Sequence, residues 1–158
     1  MAISPNTDFS SGAVLTADQQ NRFPRGVMAL ATSTTSYTLT TVEVIATGMT
    51  VTFTAVANRY YRITYYEPQA QTATLASNTQ LTLRQNNALG TVLQNTVFAN
   101  ETNALDQSGM TVIRTMTFSA GSITVVGTAK CSLTTGAPQL IRDSTRQAQL
   151  LIEDIGPA

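Results

Sequence analysis

Residues 48 to 67 leave this chain one choice of local structure. Met49, Val51, Phe53 and Ala55 alternate with Thr50, Thr52 and Thr54; beyond a turn-like Ala57-Asn58 the alternation resumes, with Tyr61, Ile63 and Tyr65 against Tyr60, Arg62 and Thr64. A period of two in β-branched and aromatic residues marks a strand, here twice in succession. Side chains at i and i+2 share a face, so one side of this pair is apolar while the other carries hydroxyls, phenols and guanidinium groups. The apolar side belongs to a core. The other is either wet or meets a partner.

The first thirty residues differ from everything after them. Residues 1 to 12 are rich in Ser, Asn, Pro and Gly and read as an extended arm. An arm of this kind frays unless it is tied down, and a neighbouring chain is the expected tie. Thr16-Ala-Asp-Gln19 fits a capping box at the start of a short helix, which Pro24 ends near Arg22. This gives an N-terminal anchoring arm with one short helix over 1–27 and a single β-domain over 28–158.

Within the β-domain, Val27 to Ala31, Ser36 to Ala46, Gln80 to Arg84, Thr91 to Phe98, Met110 to Phe118, Ser122 to Leu133 and Gln147 to Ile155 read as further strands, punctuated by Pro68, Gly90, Gly109, Gly121 and Gly136-Ala-Pro138. About eight short strands without a long helix predict an all-β antiparallel sandwich of jelly-roll type. The openings Gly48-Met-Thr-Val51 and Gly109-Met-Thr-Val112 echo one another and would suit equivalent strands of facing sheets. Cys131 falls on an apolar face with Ile123, Val125 and Ala129, and reads as a small core residue.

Composition narrows the function. At 158 residues the chain suits one domain with a core that needs no staple. Charged residues are 11% of it and the formal net charge is zero, against about 25% charged in an ordinary soluble domain. No basic field is present to draw in nucleic acid or an anionic membrane. No segment reads as a signal peptide or as a membrane span of roughly 20 apolar residues.

Catalysis lacks its usual parts. There is no histidine, the single cysteine has no activating base, and Lys130, the one lysine, lies in a predicted strand. The adjacent carboxylates Glu153 and Asp154 point to opposite faces of a strand, and the nearest approach to a calcium loop, Asn100-Glu-Thr-Asn103 with Asp106, lacks the ligand spacing. The expectation is a binding protein without enzymatic activity, metal or cofactor.

Two uses remain for the polar face. Tyr60 and Tyr66, with Arg59, Arg62 and Glu67, have the chemistry of a sugar site, where rings stack on the sugar and polar groups bond its hydroxyls. The same Arg59, Tyr60, Arg62 and Tyr66 also suit a subunit interface, where Tyr and Arg are enriched. The absence of Trp, the strongest stacking residue, favours the interface.

Three segments in this order resemble a family of small virion structural proteins of tailed bacteriophages, of the head-decoration, head-fibre, minor-tail or tail-fibre type. They are Gly12-Ala-Val-Leu-Thr-Ala17 followed by Phe23-Pro-Arg-Gly-Val27; Val51-Thr-Phe-Thr-Ala-Val-Ala-Asn-Arg-Tyr-Tyr-Arg-Ile63; and Leu150-Leu-Ile-Glu-Asp-Ile-Gly-Pro-Ala158. The chain departs from the pattern in carrying Phe23 where a leucine often precedes Pro-Arg-Gly. The resemblance implies a virion component assembled in the host bacterial cytoplasm, trimeric, with capsid or tail proteins as partners. On this reading Phe9, Val14, Leu15 and Phe23 are apolar anchors and Arg22 and Arg25 polar ones, while the β-domain forms a trimer. The alternative is an adhesion module that binds a host-surface glycan through its tyrosines.

Overall fold

The computed structural model describes residues 12, 14, 16–73, 77–99 and 105–158. The first element among the described residues is the predicted helix, α1 (Ala17–Asn21). Thr16 caps it: its Oγ1 accepts from the Gln19 amide while the Gln19 side chain accepts from the Thr16 amide, the two halves of a capping box. Among the described residues ten strands follow in chain order: β1 (Gly26–Ser33), β2 (Tyr37–Thr38), β3 (Val44–Ala55), β4 (Arg59–Thr72), β5 (Asn78–Gln85), β6 (Val92–Ala99), β7 (Asp106–Thr117), β8 (Gly121–Cys131), β9 (Gln139–Leu140) and β10 (Ala148–Pro157).

The strands form two antiparallel sheets. The first runs β1-β10-β4-β7, with the short β9 and β2 extending it beside the far end of β4; the second runs β3-β8-β5-β6. Counting only the eight long strands, the first sheet holds the first, eighth, third and sixth, and the second holds the second, seventh, fourth and fifth. This is the order of a jelly roll, the sandwich class that the alternation predicts. At the edges β1 approaches β3 and β7 approaches β6, so the sheets curl towards one another.

Alternation decides what lies between the sheets. Tyr61, Ile63 and Tyr65 of β4, Leu150 and Ile152 of β10, and Met110 and Val112 of β7 point inward to meet Met49, Val51 and Phe53 of β3, Leu81 and Leu83 of β5, and Val125 of β8. Each large side chain of this kind contributes about 1.5–3 kcal/mol on burial. Phe53, Tyr61 and Phe118 form an aromatic cluster with ring centroids 5.1 to 5.9 Å apart. Cys131 is buried as expected.

The two strands in 48–67 lie in different sheets, β3 in one and β4 in the other, and the turn at Ala57-Asn58, with Asn58 at φ 59°, carries the chain across the sandwich. Two local readings need correction. The predicted strand over 36–46 is divided, because Leu39 to Glu43 lie between β2 and β3. Pro68 does not end β4. It sits in a register shift against β7, where no ladder hydrogen bond is needed from its nitrogen, and the strand continues to Thr72. The two echoing segments, in β3 and β7, do lie in facing sheets.

Candidate functional site

At the end of the sandwich that holds the Ala57-Asn58 turn, one side chain fastens the N-terminal segment to the β-domain. The Arg59 guanidinium donates from Nε to Asp154 Oδ2 at 2.5 Å and from Nη2 to Asp154 Oδ1 at 2.8 Å. Its remaining reach goes to the carbonyls of Asn21, at 2.5 Å, and Phe23, at 2.6 Å. The Asn21 carbonyl, left over by the end of α1, and the Phe23 carbonyl just beyond it are thus satisfied from β4. Asp154 is aimed by its own bulge: Gly156, at φ 119°, turns its amide back to Asp154 Oδ1 at 3.0 Å. Arg59 is buried, so the expectation that it lies on an exposed interface or sugar-binding face is overturned. As the first residue of β4 it points into the sandwich end, where Asp154 compensates its charge.

Around this clasp the expected anchors are partly in view. Phe9 and Leu15 lie outside the described residues. Val14 is 89% exposed and Phe23 38%. Arg22 and Arg25 line an open hollow of about 350 Å³ with Val56, Asn58 and Pro157.

The outward side of the first sheet carries the other expected residues. Strand register builds it row by row. Val27, Glu153, Arg62 and Thr115 form one row across β1, β10, β4 and β7; Leu30, Leu151, Thr64 and Ile113 form the next; Thr32, Gln149, Tyr66 and Thr111 form the third. Arg62 and Glu153 neutralise each other at 2.8 Å across β4 and β10. The middle row is apolar apart from one threonine, and Leu30 and Ile113 at its ends are 54% and 53% exposed. Leu30, Leu151 and Ile113 were not singled out from the sequence. The signal was there, since each is the apolar residue at an outward position of an alternating strand, but only the register puts them in line.

The tyrosines stand apart. Tyr60 and Tyr66 share the outward side of β4 but are six residues, roughly 20 Å, from each other along the strand. Tyr66 borders an open hollow of about 460 Å³ with Pro68, Arg146, Gln147 and Gln149. Tyr60 borders another, of about 570 Å³, with Asn58, Arg114 and Met116. They do not make one two-ring platform. Glu67, the carboxylate expected beside Tyr66, points inward by the same alternation as Tyr65: it is fully buried, and Arg142 holds it through Nε at 2.9 Å and Nη2 at 2.5 Å. The Tyr65 hydroxyl donates to the same carboxylate at 2.5 Å. Burial, and after it the Glu67 charge, push the Tyr65 phenol well above its usual range. Arg142 also bonds the carbonyls of Thr35 and Thr47, so this network ties four segments together inside the fold and is closed to ligands.

Among the described residues no three His, Cys, Asp or Glu side chains gather as a metal site, and no helix is long and apolar enough to cross a membrane.

No protein-family model and no curated protein matches the chain. Among solved structures it is similar to dimeric latent PorU from Porphyromonas gingivalis, at 11% identity and a TM-score of 0.38 over 84% of this chain. The chain spans only 13% of the PorU chain. It is also similar to Eiger TNF from S. frugiperda, at 9% identity and a TM-score of 0.45, covering 85% of this chain and 96% of that one. The globular domain of zebrafish complement 1qA protein aligns at 12% identity and a TM-score of 0.42, over 82% of this chain and 95% of that one.

Proposed function

We propose that this chain is a structural component of a tailed-phage particle that works by binding: its N-terminal segment docks on the capsid or tail, and its β-domain assembles with copies of itself, as a trimer. The virion assignment rests on the three resembling segments. Self-assembly rests on one observation, the apolar row Leu30-Leu151-Thr64-Ile113 that crosses all four long strands of an outward sheet face. A contiguous exposed apolar strip with polar flanks is the usual form of an association surface. The flanks suit contact with further copies of the chain: the Arg62–Glu153 pair is already neutral and the other neighbours are Val27, hydroxyls and the Gln149 amide, so copies meet around a threefold axis without rows of like charge. Catalysis has no part in this reading.

The test is the mass of the full chain by light scattering during size-exclusion chromatography, alone and with Leu30→Lys/Ile113→Lys. We expect about three times 16.8 kDa for the native chain and a folded monomer for the variant. A native monomer would overturn the assembly half. Deleting residues 2–15, which stops short of the capping box and the Arg59 clasp, tests the docking half; the product should keep its oligomer and lose attachment to particles.

A second reading, glycan adhesion, is favoured by the hollow beside Tyr66, where the Gln147 and Gln149 amides stand near an exposed ring. It predicts a monomer that binds saccharide and loses that binding with Tyr66→Ala.

A further inference from the structure

Pairing the charges of the chain leaves an asymmetry that the zero net charge conceals. Arg59, Arg62, Arg84, Arg142 and Arg146 each face a carboxylate. Among the described residues two arginines, Arg25 and Arg114, face none, and neither does Lys130, which lies towards the opposite end of the sandwich. The two arginines lie far apart in the sequence, Arg25 at the residue before β1 and Arg114 in the second half of β7. The fold nonetheless brings them to one end of the sandwich, in two hollows that adjoin at Asn58. Among the described residues no acidic side chain lines either hollow. Asp154, a carboxylate at this end, is buried and spent on Arg59. Between and beside the two guanidinium groups stand Val56, Met116 and Pro157.

We propose that this end is the docking surface, and that its partner is an acidic protein segment that also carries apolar side chains. The idea rests on the docking half of the reading above and is independent of self-assembly. It extends the anchor beyond the N-terminal segment to the β3–β4 turn and to Arg114, which nothing in the sequence links to docking. A guanidinium group recognises a carboxylate with two parallel hydrogen bonds, and arginines beside apolar surface are the residues on which protein interfaces most depend. Nucleic acid fits less well: phosphate backbones are held by several cations in a row, and this surface offers few, with no lysine. The clasp of Arg59 on Asn21 and Phe23 keeps the N-terminal segment registered beside the hollows, so arm and surface form one composite site.

The test is fluorescence anisotropy of the full chain, at low ionic strength, with a labelled peptide of alternating glutamate and leucine. Its glutamine–leucine counterpart and a DNA duplex serve as comparisons. The acidic peptide should bind, the neutral one should bind at least tenfold more weakly, and Arg25→Glu/Arg114→Glu should weaken the acidic peptide at least tenfold. Lys130→Glu, in a hollow with Asn78 and Ser132 towards the opposite end, should leave binding unchanged. Both arginines are exposed, so folding should survive, and circular dichroism checks it. Equal binding by the double arginine variant, an equal loss with Lys130→Glu, or preference for DNA over peptide would each overturn the proposal. Particle attachment lost on deleting residues 2–15, with no effect of the arginine reversal on peptide binding, would sink this inference alone and leave the docking arm standing.

Discussion

Tyr65 sets the tightest constraints in the core. Its ring lies so close to Gly127 of the opposite sheet that a Cβ there would meet ring carbons at 2.9 to 3.0 Å. Gly127→Ala should therefore cost about 1–3 kcal/mol, the usual penalty for overpacking, read as a lower thermal midpoint; an unchanged midpoint would mean that the sheets separate freely at this point. The hydroxyl of the same tyrosine commits Glu67, and Glu67 commits Arg142. Removing one partner of a buried ion pair strands the other, so Arg142→Ala should cost about 3–5 kcal/mol in denaturant unfolding. Replacing the whole network, Tyr65→Phe/Glu67→Leu/Arg142→Met, should cost less than that single change, because no buried charge is left unpaired. If the triple variant is the less stable, the network stabilises the fold by more than mutual compensation.

At the scale of elements, ion pairs hold together segments that the sheets alone would leave loose. Glu43, just ahead of β3, is bound by Arg84 of β5 through Nε at 2.7 Å and Nη2 at 2.8 Å, and by Thr128 of β8 at 2.5 Å. Arg84 reaches on to the Gly90 carbonyl before β6 at 2.8 Å. The hydrogen bonds from Arg84 are the main reason that the Glu43 carboxyl falls from an ordinary 4.5 to about 2, against the opposing effect of burial. A pKa depressed by folding stabilises the fold fully above the ordinary value, and that contribution fades as pH falls from about 4.5 to about 2. Glu43→Gln should lower stability by about 2 kcal/mol at neutral pH, as expected for hydrogen bonds to a charged group, and should flatten the acid limb of the stability curve. Parallel acid limbs for the two proteins would remove Glu43 from the account of acid sensitivity. The helix belongs to this scale as well. Five residues are too few to be stable alone, so α1 depends on its capping box at one end and on Arg59 at the other.

For the molecule as a whole, the outward face of the first sheet and the cationic end define two directions. One would gather copies side by side and the other would set them on a support. If copies associate through the face, folding and assembly are linked by mass action, and the thermal midpoint should climb with protein concentration. A midpoint that stays constant over a hundredfold range would count against association. With Leu30→Lys/Ile113→Lys the dependence should vanish.

Much of this architecture was legible in the residues one after another. Alternation names the inward side chains because successive Cβ atoms point to opposite faces, a rule that acts over two residues and needs no partner; Tyr61, Ile63, Tyr65, Met49, Val51 and Phe53 all obey it. The capping box and the burial of Cys131 are equally local. Partnership across the chain was not legible. Arg59 meets Asp154 across 95 residues and Arg142 meets Glu67 across 75, so two residues with the look of surface chemistry became interior structure. The apolar row of the candidate face and the company of Arg25 and Arg114 arise in the same way, from strand order and register. The pattern of a strand states which face each side chain takes, but which strand lies beside it is decided only when the whole jelly roll closes, because burial rewards the sum of all pairings and not any one of them.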